Sequence, residues 1–161
     1  MIRKLAIGVA VVLALTAPAL AQTNVDLGGL TVDNTAPIEV TADSLTIDQD
    51  TGRAIFDGNV LVAQGDMRVS AGRVEVVYGT DTSEIAQLIA SGGVTFVTAT
   101  EAAEAAQATY VIESGLLTLE GDVLLTQGAS AISAGRMVIN VTNGTATMDG
   151  RVRTVLQQGD N

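Results

Sequence analysis

Asp57-Gly58-Asn59-Val60-Leu61-Val62-Ala63-Gln64-Gly65 returns sixty-three residues later as Glu120-Gly121-Asp122-Val123-Leu124-Leu125-Thr126-Gln127-Gly128. The same offset lays Ser70-Ala71-Gly72-Arg73 onto Ser133-Ala134-Gly135-Arg136 without a gap. Weaker copies begin at Gly92-Gly93-Val94 and Gly150-Arg151-Val152, so glycines 58, 92, 121 and 150 are spaced by 34, 29 and 29 residues. A repeat of this length is a supersecondary unit. Such a unit cannot bury its apolar face alone and must stack on its neighbours.

The residues around each glycine show which face is buried. Two positions after it stand Val60, Val94, Val123 and Val152; four after it, Val62, Phe96, Leu125 and Thr154. Two before it stand Phe56, Ala90, Leu119 and Met148; four before it, Ala54, Leu88, Leu117 and Ala146. All but Thr154 are apolar, whereas the flanking positions carry Asp57, Ser91, Glu120 and Asp149, then Asn59, Gly93, Asp122 and Arg151. Period-two alternation predicts strands with one face in a core and one in water. The glycine predicts a bulge or bend where each strand turns a corner.

The N-terminus reads as an export signal. Arg3 and Lys4 precede an apolar run from Leu5 to Leu15, Pro18 interrupts it, and Ala19-Leu20-Ala21 suits signal peptidase. Residues 1–21 are therefore expected to be removed by cleavage after Ala21, since the run falls short of the roughly 20 residues of a membrane span. Beyond it, six arginines and no lysine face eighteen carboxylates, a net charge of −12. Nucleic acid is excluded as a partner, because phosphate contacts need clustered cations. With no cysteine, an exported domain must rely on its core.

The chain has no His and no Cys, and its single Lys lies in the leader. That removes the usual general base, the thiol nucleophile and the commonest metal ligands. Asp48 and Asp50 form the densest acidic spot, in Ile47-Asp48-Gln49-Asp50-Thr51-Gly52, which reads as a turn. A calcium loop would need further oxygen ligands at alternate positions. No catalytic residue, metal site or cofactor is expected.

In order, residues 22–36 read as a flexible leader and Pro37 opens the first strand, which runs to Ile47. Residues 37–157 form one domain and 158–161 a polar tail. Glycine-centred strands are expected over 53–64, 84–98, 116–127 and 145–156, with further strands over 67–78, 109–113 and 131–141. The segment 99–107, with Glu101-Ala102-Ala103-Glu104-Ala105-Ala106, carries helix propensity but is too short to be a stable helix alone; it reads as a turn of helix or as a strand start with small residues. Asn143-Gly144 signals a hairpin. The result is a dozen or more short strands with almost no helix.

Phe56-Asp57-Gly58-Asn59-Val60-Leu61-Val62-Ala63-Gln64-Gly65, with Ala71-Gly72-Arg73-Val74-Glu75-Val76 behind it, resembles the OstA-like repeat of the LptA family of periplasmic lipopolysaccharide transport proteins. The likeness covers roughly residues 37–157. It implies an elongated antiparallel β-jellyroll of V-shaped strands around an apolar groove. It also implies lipopolysaccharide as cargo, an inner-membrane LptC-like donor, an outer-membrane LptD-like translocon and head-to-tail homo-oligomers. Ile38, Val40, Phe96, Tyr110 and Ile112 match groove positions of the family. Inward parity adds Val60, Val62, Val123 and Leu125 to that expected lipid-binding set. With so acidic a chain, the affinity would come from acyl chains, at about 0.8 kcal/mol per buried CH₂.

Two other readings fit the same residues. A membrane-anchored LptC-like partner would keep residues 1–21, and N-terminal sequencing that starts at Gln22 separates the two. A structural β-repeat polymer would hold no lipid. The edges expected to dock neighbouring copies are the first strand, 38–47, and the last, 145–156, because unpaired edge groups template further pairing.

Overall fold

The structure, a computed structural model, describes residues 23–26, 35–80 and 84–157. The expected leader peptide at 1–21 and the tail at 158–161 lie outside the described residues. The described chain forms thirteen strands in one antiparallel sheet. They are β1 (Thr23–Asp26), β2 (Glu39–Thr41), β3 (Ser44–Asp48), β4 (Arg53–Gln64), β5 (Met67–Tyr78), β6 (Ile85–Ser91) and β7 (Val94–Val97). After these come β8 (Glu101–Ala105), β9 (Gln107–Val111), β10 (Leu116–Gln127), β11 (Ser130–Asn140), β12 (Thr145–Asp149) and β13 (Arg153–Val155).

The repeat explains the architecture. Strands β4 and β5 pair from Arg53↔Val77 to Gln64↔Met67, with a shift in register between Asp57 and Val60. Strands β10 and β11 repeat this from Leu116↔Asn140 to Gln127↔Ser130, with the shift between Glu120 and Val123. The expected bulge is therefore present at Gly58 and again at Gly121. Each bulge is built from two successive left-handed residues: φ is 82° at Gly58 and 47° at Asn59, then 84° at Gly121 and 48° at Asp122. Asn is among the residues that tolerate this region best, and Asp follows it.

Every long strand thus has two halves that meet different neighbours. In the first arm, the first half of β4 pairs with β3, the second half of β5 with β6, β6 with β9, and β9 with the first half of β10. In the second arm, the second half of β4 pairs with β2, the first half of β5 with β7, β7 with β8, and β8 with the second half of β10. Strand β11 carries β12 on the first arm and β13 on the second. The arms fold toward each other about a seam of small residues, and the core fills the angle between them.

Of the sixteen positions flanking the four glycines, only Val152 and Thr154 are exposed. Phe56 is half-buried and the rest are buried. Parity therefore reads the core correctly wherever a neighbouring strand covers it.

Four details depart from the sequence reading or sharpen it. The segment 99–107, which the sequence leaves open between a turn of helix and a strand start, is strand: Ala103 stands opposite Phe96 and is fully buried. Two flanking edges, β7 and β10, capture it, and tertiary pairing overrides local propensity. Residues Thr23–Asp26, expected within a flexible leader, form β1 and pair with β12. The expected strands 38–47, 84–98 and 145–156 are each broken where they cross the seam. At Asn143-Gly144 the expected hairpin joins β11 to β12, but only Gly144 is left-handed, with φ 71°. The turn there is instead organised by Asn140, whose Oδ1 accepts from the Thr142 and Asn143 amides.

Candidate functional site

The inner faces of the two arms form one continuous apolar core, and the expected site residues all lie in it or at its margin. Val60, Val62, Phe96, Tyr110, Val123 and Leu125 are buried in the core; Ile38, Val40 and Ile112 pack against its margin. Phe96, Val123 and Leu125 sit on the second arm, in β7 and β10, and Tyr110 on the first, in β9.

The arms are closed on each other. Between Val62, Met67 and Val69 of one and Val74, Leu88 and Tyr110 of the other lies a cavity of about 20 Å³ with wholly apolar walls. A space of that size holds about one water at most and, lined by hydrocarbon, stays dry. An acyl chain fits between these faces only if the arms part.

A polar contact ties the arms together across the interior. The Tyr110 hydroxyl donates to Gln64 Oε1 at 3.3 Å, and Gln64 Nε2 donates to the Ala36 carbonyl at 3.0 Å. Burial pushes the Tyr110 phenol above its ordinary pKa, which keeps the donor protonated. Gln64 was not expected here, yet it has the parity of Val60 and Val62, so the alternation that found them also points to it. Tyr110→Phe is expected to lower stability by about 1–2 kcal/mol, because Gln64 loses a buried partner. Urea unfolding of the two proteins measures this.

A second buried polar knot closes the tip of the second arm. Glu101 accepts from the Thr98 hydroxyl at 2.8 Å, from the Thr100 hydroxyl, and from Gln127 Nε2 at 3.1 Å. Each carboxylate oxygen is thereby satisfied, which is what allows a glutamate to be buried. The knot fixes the turn between β7 and β8 beside Phe96.

The outer surface is polar, and three arginines on it pair with four carboxylates. Arg53 meets Glu75 at 2.7 Å, Arg73 meets Asp57 at 3.2 Å, and Arg136 meets Glu120 at 3.4 Å and Asp149 at 3.9 Å. The last two arginines occupy equivalent places in the repeat. Asp48, singled out in the sequence, accepts the amides of Asp50 and Thr51 at 2.9 and 3.2 Å. These bonds hold its carboxyl below the usual range and assign it to the turn.

At both ends of the sheet the apolar face runs out uncovered. Leu45 and Ile47 in β3 stand opposite the inward Phe56 and Ala54, yet are 49% and 66% exposed. At the other end Val152 and Leu156 share the parity of Thr154, which stands opposite Ile132; Leu156 is 72% exposed.

These features define an antiparallel β-jellyroll with a continuous apolar interior and open ends. The chain belongs to the LptA/(LptD N-terminal domain) LPS transport protein family, whose model matches residues 39–159. This family is one of transport components, not catalysts. The crystal structure of LptH, described as the LptA homologous periplasmic component of the lipopolysaccharide transport device of Pseudomonas aeruginosa, is similar with a TM-score of 0.71. That match covers 79% of this chain and 99% of LptH at 17% identity, and it shows the shared fold. An uncharacterized protein of Rhizobium meliloti (strain 1021) is 31% identical over 144 residues. The chain aligns over 89% of its own length and spans about 65% of that relative.

Proposed function

We propose that this chain carries lipopolysaccharide through the periplasm, with acyl chains between the two arms and sugars and phosphates in water. It receives cargo from an inner-membrane LptC-like jellyroll and passes it to an outer-membrane LptD-like translocon, stacking head to tail with like domains on the way. The observation that carries this reading is the uncovered apolar interior at both ends, which a second jellyroll would continue.

Charge supports the direction of stacking. The first edge carries exposed Glu39, Asp43, Asp48 and Asp50, while exposed Arg151 and Arg153 lie at the last. The other arginines beyond the leader are engaged: three in the ion pairs above, and Arg68 with the Gly65 and Met67 carbonyls. Opposite signs at opposite ends favour head-to-tail over head-to-head contact and speed association.

A photo-crosslinker at Ile112, on the margin between the arms, tests the cargo in cells making lipopolysaccharide. Adducts containing lipopolysaccharide are expected there; their absence from Ile112, Ile38 and Val40 alike would overturn the reading. For stacking, Ile47→Asp and Leu156→Asp are each expected to abolish oligomers by light scattering. Both sites are exposed in the monomer, so its melting temperature should barely move. Oligomers of unchanged size in both variants would refute docking through these edges.

A further inference from the structure

The two halves of the last edge are in different states. On the second arm, β13 is exposed along its whole length. On the first arm, Ala146 and Met148 of β12 are 1% and 4% exposed, and the outer side of β12 is occupied. Its occupant is β1, paired from Thr23↔Met148 to Asp26↔Thr145. The first edge of the molecule shows the opposite condition. There the outer side of β3 is unpaired among the described residues, and all five of its residues are exposed.

In a head-to-tail stack, the β3 of one copy would lie against the β12 of the copy before it. That place is filled by the chain's own N-terminal strand. We propose that β1 is a built-in cap on the docking edge: it occupies the outer side of β12 in the free protein and is displaced by the incoming β3 of a second copy. The inference rests on the stacking reading given above.

Physical chemistry favours such an exchange. Both strands use the same backbone donors and acceptors of β12, so they exclude one another. The cap is joined to its edge through the chain, which makes its pairing independent of protein concentration. It covers only four residues. An incoming copy brings the five residues of β3, presents Leu45 and Ile47 for burial, and sets β2 beside the open β13 at the same time. The cap wins in dilute protein, and the stack wins when copies are crowded or aligned on a partner. Strand addition at an exposed edge is a common recognition mode, and an edge covered by the chain's own strand is guarded against indiscriminate pairing.

The absence of cysteine permits a clean test. Asn24 and Thr147 are direct partners in the register. The double variant Asn24→Cys/Thr147→Cys should form a disulfide within one chain in dilute protein. Oxidised protein should remain monomeric by light scattering, and reduction should restore the oligomers of the parent. A complementary variant, Val25→Pro, removes a backbone donor from the cap. It should lower the concentration of half-assembly about tenfold, the weight of one or two net backbone hydrogen bonds. Circular dichroism of each variant checks that the sheet is intact.

A disulfide that forms only between chains would overturn the cap. Oligomers of equal size before and after reduction would overturn its competition with β3. Weaker assembly of Val25→Pro would show that β1 is part of the docking edge instead of a block upon it. Should the intramolecular bond form while no oligomer appears in any state, the stacking reading fails and the inhibitory role falls with it.

Discussion

Phe96→Asp is expected to leave the chain unfolded at neutral pH. Phe96 is fully buried in β7, between β5 and β8, with Val69 opposite it on one side and Ala103 on the other. Removing the ring alone costs about 3–5 kcal/mol. An ionised carboxylate in its place adds a desolvation penalty of several kcal/mol, and no cation lies among the core residues. Together these approach or exceed the roughly 5–15 kcal/mol that holds a domain folded. Burial would raise the introduced carboxyl's pKa, so the damage should be greatest at neutral pH and ease as pH falls. Far-UV circular dichroism of Phe96→Asp from pH 7 to pH 4, beside Phe96→Leu, reads this directly. A cooperative unfolding transition at neutral pH close to the parent's would show that the arms are not closed at this position. Loss of lipid binding in Phe96→Asp would therefore say nothing about contact with cargo, and margin positions such as Ile112 are the ones that report it.

That distinction marks how far the sequence could be read. The parity of Val60, Val62, Val123 and Leu125 follows from alternation around the repeated glycine, because a strand has only two faces and one is buried. The two-arm arrangement is legible in the same signal: an apolar position two residues before and two after each glycine keeps both halves facing inward across a bulge. What one strand's alternation cannot express is the distance between the two arms. Whether inward residues line a groove or a closed core depends on contacts between the arms such as that of Tyr110 with Gln64, which lie 46 residues apart in the chain. The strand at Glu101–Ala105 is undecided in the sequence for a related reason. Alanine is the best helix former, and its fitness for a strand arises only from the bulk of Phe96 across from it. The pairing of β1 with β12 joins the two extremes of the chain, and nothing in Thr23-Asn24-Val25-Asp26 announces it.

Gly121→Val should be the most damaging substitution on the seam. At Gly121 the backbone is left-handed, and a Cβ there would stand 2.7 Å from the Ala106 Cβ. The Ala106 amide donates to the Gly121 carbonyl at 3.0 Å and to the Glu120 carbonyl at 3.1 Å, so neither segment can withdraw without breaking the link between the arms. The same closeness recurs at Gly72 with Gly92 and at Gly135 with Gly150, where backbone meets backbone. Left-handed geometry alone costs a residue with a Cβ about 1–2 kcal/mol, and a β-branched side chain is the least tolerant of it. Gly128 separates the two effects. It is also left-handed, but a Cβ there meets nothing within 4 Å, so Gly128→Val carries the backbone strain without the clash. Gly121→Val is expected to lose at least about 3 kcal/mol, the backbone cost with that of an overpacked contact added. Ala106→Gly in the same chain should recover the part due to the clash. Equal losses at 121 and 128 in urea unfolding would mean that the seam has room to spare. Since opening the arms to an acyl chain must pivot about this seam, the recovered variant should also show whether a looser hinge takes up lipid faster.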